Sequence, residues 1–131
     1  MPESGSVVLD TNVAIAHLSG DRAVQQHLAK SGPILIPTIV VGELLYGAQR
    51  SDRAEQNLQR VNELVSYSEV IDVTIETARN YGAIKTVLRR KGTPIPDNDI
   101  WIAAVALEHG APVATRDEHF DAVENLTVLR W

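Results

Sequence analysis

The strongest constraint on how this chain folds is an alternation. Short apolar runs, each closed by polar or turn residues, are separated by segments with helical periodicity. Ser6-Val7-Val8-Leu9 is the first run and ends at Asp10-Thr11-Asn12. Ile34-Leu35-Ile36, a short segment within Tyr67 to Val73, Val113-Ala114-Thr115 and Leu126 to Leu129 are the others. Between them, Val13 to Leu18, Asp21 to Lys30, Ile39 to Ala48, Asp52 to Val65, Ile75 to Arg90 and Ile100 to His109 are expected to be helical. Strands without polar interruptions are buried on both faces. The expected fold class is therefore α/β, a three-layer α/β/α sandwich with a short, mainly parallel sheet flanked by helices. In such sheets ligands gather at the carboxyl ends of the strands.

Punctuation residues set the expected boundaries. Gly32 before Pro33 reads as a helix stop, and Thr38 and Thr74 read as N-caps. Lys91-Gly92 ends the longest helix, Pro94 and Pro96 hold a loop, and Asp97-Asn98 offers a cap for the next helix. His119 to Val123 reads as a single turn. With 131 residues, 44% of them hydrophobic and 22% charged, residues 1–131 are expected to form one domain. Cysteine is absent, which excludes disulfides, thiolate metal sites and cysteine nucleophiles. Met1 to Ser6 lacks the features of a signal peptide, and the longest apolar stretch, Ile34 to Tyr46, is broken by Pro37, Thr38, Gly42 and Glu43. A cytoplasmic protein with no membrane association is the expectation.

The acids are placed with the strands. Asp10 directly follows the first strand and Asp117 follows Val113 to Thr115, so both fall on the ligand-binding edge. Asp99 lies in the first turn of a helix, where free N–H groups favour an anion, and Asp97 lies two residues earlier. Glu43 stands among Ile39, Val40, Leu44 and Gly47, a face expected to be buried, with no Lys or Arg between Lys30 and Arg50. A buried carboxylate needs a partner or a metal. Each acid taken singly also has a capping or turn reading; agreement between positions carries the inference. Several carboxylates without cysteine or paired histidines select a hard dication, Mg²⁺ or Mn²⁺, suited to phosphoryl chemistry.

The residues also carry a resemblance. Val7-Val8-Leu9-Asp10-Thr11-Asn12, Val41-Gly42-Glu43-Leu44-Leu45-Tyr46-Gly47, Asn98-Asp99-Ile100-Trp101-Ile102-Ala103-Ala104 and Ala114-Thr115-Arg116-Asp117-Glu118-His119-Phe120 resemble the successive motifs of PIN-domain ribonucleases, most closely the VapC-type toxins. The resemblance spans Val7 to Leu129. It implies that Asp10, Glu43 and Asp99 hold Mg²⁺ (Mn²⁺ substituting), that Asp117 is a fourth acid, often at a second metal position, and that Asp97 is an auxiliary ligand. Thr11, Asn12 and Thr115 match polar positions around these acids, and Arg116 lies beside the fourth. The implied reaction is endonucleolytic hydrolysis of tRNA or rRNA, leaving a 5′-phosphate and a 3′-hydroxyl. The implied partners are a cognate VapB-like antitoxin and a second copy of the chain.

The formal charge of −5 at first opposes an RNA partner. Setting aside the five acids of the proposed site leaves the remainder neutral. Lys85 and Arg89, spaced i,i+4, form a candidate basic stripe, which a solvated helix end explains equally well. Trp101 is expected in the core or a groove wall, and Tyr46 in the core or an antitoxin groove. The four histidines show no HxxxH-type spacing and read as ordinary surface or core residues. The competing reading is a non-catalytic α/β binding or receiver-type signalling module. A receiver places adjacent acids after its first strand and another after a middle strand, whereas Thr11-Asn12 follow Asp10 and no acid follows Ile34-Leu35-Ile36.

Overall fold

The computed structural model describes residues 5–131, so the reading of Met1 to Ser6 lies largely outside the described residues. Five parallel strands, β1 (Val7–Leu9), β2 (Ile34–Pro37), β3 (Glu69–Ile71), β4 (Val113–Thr115) and β5 (Val128–Arg130), form one sheet in the order β3-β2-β1-β4-β5. Helices α1 (Thr11–Leu18), α2 (Arg22–Lys30), α3 (Thr38–Gln49), α4 (Ala54–Ser66), α5 (Ile75–Lys91) and α6 (Asp97–Glu108) flank it. The expected α/β/α architecture is present, and every strand pair is parallel.

The chain builds outward from β1 through β2 to β3, then returns to place β4 on the other side of β1. That reversal makes the β1–β4 boundary the topological switch point, where side chains after two strands meet across a crevice. The order also separates this fold from a receiver, whose sheet runs 2-1-3-4-5. The receiver-type reading is therefore not the fold observed.

Burial explains the strand sequences. Val7, Val8 and Leu9 are each at most 1% exposed, because β1 is central and covered on both faces. Ile100 and Ile102 to Ala106 of α6 are likewise buried, with α6 packed against α5 and α3, which is why α6 lacks an amphipathic pattern. No helix among the described residues is long and apolar enough to cross a membrane.

Several helix ends follow the sequence reading and several do not. Thr74 caps α5 through a capping box with Thr77, and Gly92, at φ 69°, ends it in the left-handed region. Thr38 is already the first helical residue of α3, because extended Pro37 ends β2 and serves as the N-cap. Pro96 does the same for α6, which moves Asp97 and Asn98 from the cap into the first turn. Gly32 is not left-handed; its N–H instead meets the Gly5 carbonyl at 2.7 Å, tying the chain before β1 to the chain before β2. The last strand begins two residues late, after left-handed Asn125, and pairs Val128 with Val113.

Phe120, fully buried in the 3-10 turn Glu118–Ala122, anchors the segment after β4. Phe120→Ala should destabilise the protein by about 3–5 kcal/mol, seen as a lower urea midpoint at unchanged m value. Ile75→Ser, at a side chain 69% exposed, should stay within about 0.5 kcal/mol in the same assay.

Candidate active site

Asp10 is the fixed point of the site. It caps α1, its Oδ1 accepting from the Thr11 N–H at 2.8 Å, and it is only 4% exposed. The parallel register that pairs Leu9 with Ala114 brings fully buried Thr115 alongside, and the Thr115 hydroxyl donates to Asp10 Oδ2 at 2.7 Å. Both carboxylate oxygens are thus engaged. Burial nevertheless pushes the Asp10 carboxyl above the ordinary carboxylate value, against the bonds from Thr115 and Thr11, and nearby Asp117 and Glu43 push it the same way.

The other acids arrive on separate elements. Glu43, in the second turn of α3, is half-buried, more open than the sequence implied because neighbouring Gly42 and Gly47 are exposed. It accepts the Thr11 hydroxyl at 2.7 Å, so a single residue links α3 to the end of β1. The Asp117 N–H donates to Thr115 Oγ1 at 2.9 Å. Thr115 therefore couples the first acid to the fourth. Asn12 Oδ1 accepts the Arg116 backbone N–H at 3.3 Å and holds the same loop against α1.

Asp99 projects from the first turn of α6 with its side chain 14% exposed. Burial, then the charges of Asp10 and Asp117, push its carboxyl up to about 6. Asp117 is shifted down: its partial burial opposes the change, but the backbone and ring of His119 outweigh it. His119 is shifted up, first by its hydrogen bond with Asp117.

His119, which from the sequence reads as an ordinary surface or core residue, stands among these acids. Its backbone N–H donates to Asp117 Oδ1 at 2.9 Å, and its Nδ1 lies 2.9 Å from that oxygen and 3.3 Å from Asp99 Oδ2. Helical ligand spacing does not apply to it, because it stands two residues beyond Asp117 in a tight turn. The Asp-x-His pattern is the signal that was available.

Two residues named from the sequence have partners elsewhere. Asp97 Oδ1 accepts from Tyr81 Oη and Lys85 Nζ, both at 3.0 Å, which removes Lys85 from an open basic stripe. The Arg116 guanidinium is held by Asp21 Oδ2 at 2.9 Å and the Trp131 carbonyl at 2.6 Å. Trp101 stacks on Tyr81 with centroids 4.0 Å apart, whereas Tyr46 is 65% exposed and so not in the core.

Asn12, Ile95, Arg116, Asp117 and His119 line an open cleft of about 630 Å³. Among the described residues, no Lys or Arg side chain pairs with Asp10, Glu43, Asp99 or Asp117. The arrangement gathers negative charge in a partly dry place, with the His119 ring but no Lys or Arg side chain paired to these carboxylates. Oxygen donors so arranged fit a hard divalent cation.

Residues 7–126 match the PIN domain family. Ribonuclease VapC2 of Rickettsia felis is 32% identical over 135 residues, covering 95% of this chain and 96% of its own. The tRNA(fMet)-specific endonuclease VapC of Salmonella typhimurium is 31% identical over 127 residues, covering 95% and 96%. Among solved structures, that of VapBC2 from Rickettsia felis bound to a promoter DNA fragment matches with a TM-score of 0.89 at 30% identity, covering 96% of this chain and 98% of that one. With a match over nearly its whole length, the chain belongs to the PIN-domain family, among the VapC ribonucleases.

Proposed function

We propose that the protein is a Mg²⁺-dependent endoribonuclease toxin that cuts tRNA or rRNA in the cytoplasm, works as a homodimer and is restrained by a VapB-like antitoxin. The observation that carries the catalytic part is the convergence of four carboxylates, from four elements, without a Lys or Arg partner among the described residues. The relatives' names support the substrate class, and the VapBC structures support an antitoxin partner.

Asp10, Glu43, Asp99 and Asp117 are the residues that would hold the cation; Asp97, engaged by Tyr81 and Lys85, is not among them. When bound, a dication supplies Lewis acidity toward a phosphate oxygen and lowers the pKa of a coordinated water. The chain's own contribution is positioning. Thr115 and the Thr11 N–H lock Asp10, Thr11 orients Glu43, and Thr115 with Asn12 sets the loop carrying Asp117. Arg116, tethered by Asp21, sets a cation of fixed place at the cleft wall, where an RNA phosphate would lie.

Antitoxin-free protein incubated with total tRNA and rRNA should produce discrete cuts with Mg²⁺ and none with EDTA. Mapping new 5′ ends identifies the site. Asp99→Asn should lower the cleavage rate by about 100-fold or more while the circular dichroism spectrum stays unchanged. Full activity in that folded variant would remove Asp99 from the reaction.

The carboxyl shifts also fix a pH dependence for metal-free protein. Asp99 binds its proton more tightly in the folded chain than at the ordinary value of 3.8, so its contribution is present at low pH and lost as pH rises from about 4 to about 6. Asp10 and His119, both raised, act in the same direction, whereas Asp117, lowered, contributes stability that disappears as pH falls. A cation replaces the Asp99 proton, so the Mg²⁺-induced rise in Tm should grow as pH passes from 5 to 7. In Asp99→Asn, calorimetry should show a higher metal-free Tm at pH 7 and a smaller Mg²⁺ response.

A further inference from the structure

We propose that His119 is itself a ligand of the metal centre, and that its imidazole nitrogen biases the centre toward Mn²⁺ over Mg²⁺. The inference rests on the reading above that Asp99 and Asp117 hold a divalent cation.

The geometry is that of a ligand set. His119 Nδ1 lies 2.9 Å and 3.2 Å from the two oxygens of Asp117 and 3.3 Å from Asp99 Oδ2. In an octahedral site with bonds of about 2.1 Å, neighbouring ligand atoms are about 3.0 Å apart. The nitrogen therefore stands from each carboxylate at nearly the distance of an octahedral edge. One donor atom from each of Asp99, Asp117 and His119 falls within 4.8 Å of the others. The ring is placed by the fold as well as by its own torsions. The His119 N–H is fastened to Asp117, and the next residue, Phe120, is fully buried.

Chemistry then sets the preference. Mg²⁺ is hard, keeps waters and takes carboxylate oxygens, and gains little from nitrogen. A first-row transition ion accepts carboxylate and imidazole together. A donor set of carboxylates alone suits Mg²⁺ and Mn²⁺ alike; the addition of Nδ1 changes that balance. The Nδ1 position is also the one that a hydrogen bond to Asp117 would use, so His119 has a rival role as a residue that only orients the carboxylate. Removal of such an orienting group weakens every metal alike.

The test uses tag-free, metal-stripped wild type with His119→Ala, His119→Asn and Asp99→Asn. Affinities for Mn²⁺ and Mg²⁺ are measured by calorimetry, and the Mn²⁺-loaded proteins are examined by pulsed electron paramagnetic resonance for coupling to a directly bound ¹⁴N. Wild type should show that coupling and both His119 variants should lack it. Their Mn²⁺ affinity should fall about 10-fold or more while Mg²⁺ affinity changes less than about threefold. Mn²⁺ bound to wild type without ¹⁴N coupling, or equal losses for both ions, would overturn the role of His119 and leave the carboxylate centre standing, provided Asp99→Asn loses Mn²⁺. Undiminished Mn²⁺ binding by Asp99→Asn would overturn the centre itself and this inference with it.

Discussion

The hydrogen bond from Thr115 to Asp10 joins the two strands between which the site is built. Both residues are buried, and they meet because β1 and β4 are neighbours in space although 105 positions apart in sequence. A carboxylate that has lost its water needs donors, and Thr115 provides one while the start of α1 provides the other. The same hydroxyl accepts the Asp117 N–H, so the position of the fourth acid depends on the contact that satisfies the first. Loss of Thr115 would leave a buried carboxylate oxygen unpaired, a penalty of about 1–3 kcal/mol, and release the loop at the mouth of the cleft.

Competition among electrostatic effects gives the site its character. Asp99 sits at a helix N-terminus, where the dipole stabilises a negative charge by about 0.3–1 kcal/mol, and up to roughly 2 in partly buried geometries. Burial and the neighbouring Asp10 and Asp117 raise its carboxyl from 3.8 to about 6, which corresponds to about 3 kcal/mol in the opposite sense. The unfavourable effects win. Asp117 goes the other way chiefly because His119 approaches it with both a backbone and a ring nitrogen, with a smaller contribution from its hydrogen bond with Asp99. The fold therefore holds carboxylates that repel one another, and a cation is what such a set lacks.

Much of this was legible in the sequence because strand ends and acids coincide there. Asp10 and Asp117 were placed at the correct edge by apolar runs of three or four residues, and Glu43 stood out through the company it keeps on α3. Its exposure was misjudged, since a glycine beside it and another four positions on leave that face open. The helix starts at Thr38 and Asp97 were displaced by prolines, whose extended ψ angles of 142° and 144° already provide the N-cap geometry. What periodicity carries least is pairing at long range. Arg116 with Asp21 and Lys85 with Asp97 join residues 95 and 12 positions apart, and nothing local in either motif announces its partner. His119 was missed for a related reason: its link to Asp117 is local, but it follows the geometry of a turn rather than the spacing of a helix.

Those pairings bear on how an RNA would be held. Exposed ion pairs such as Lys85–Asp97 and Arg116–Asp21 stabilise a fold little, because solvent screens them. Their consequence is geometric. Each places a cation and reduces the net field it projects, so neither adds to a broad basic surface of the kind that dominates nonspecific phosphate binding. With the remainder of the chain near neutral, the charge that a polyanion meets at the cleft turns on the place where acids stand without a Lys or Arg partner. That place is the carboxylate cluster, which repels phosphate when empty and attracts it once a dication is seated. Under the proposed function, metal loading and RNA engagement are then one coupled event, and the same acids that give the chain its negative charge become the means by which it holds a negatively charged substrate.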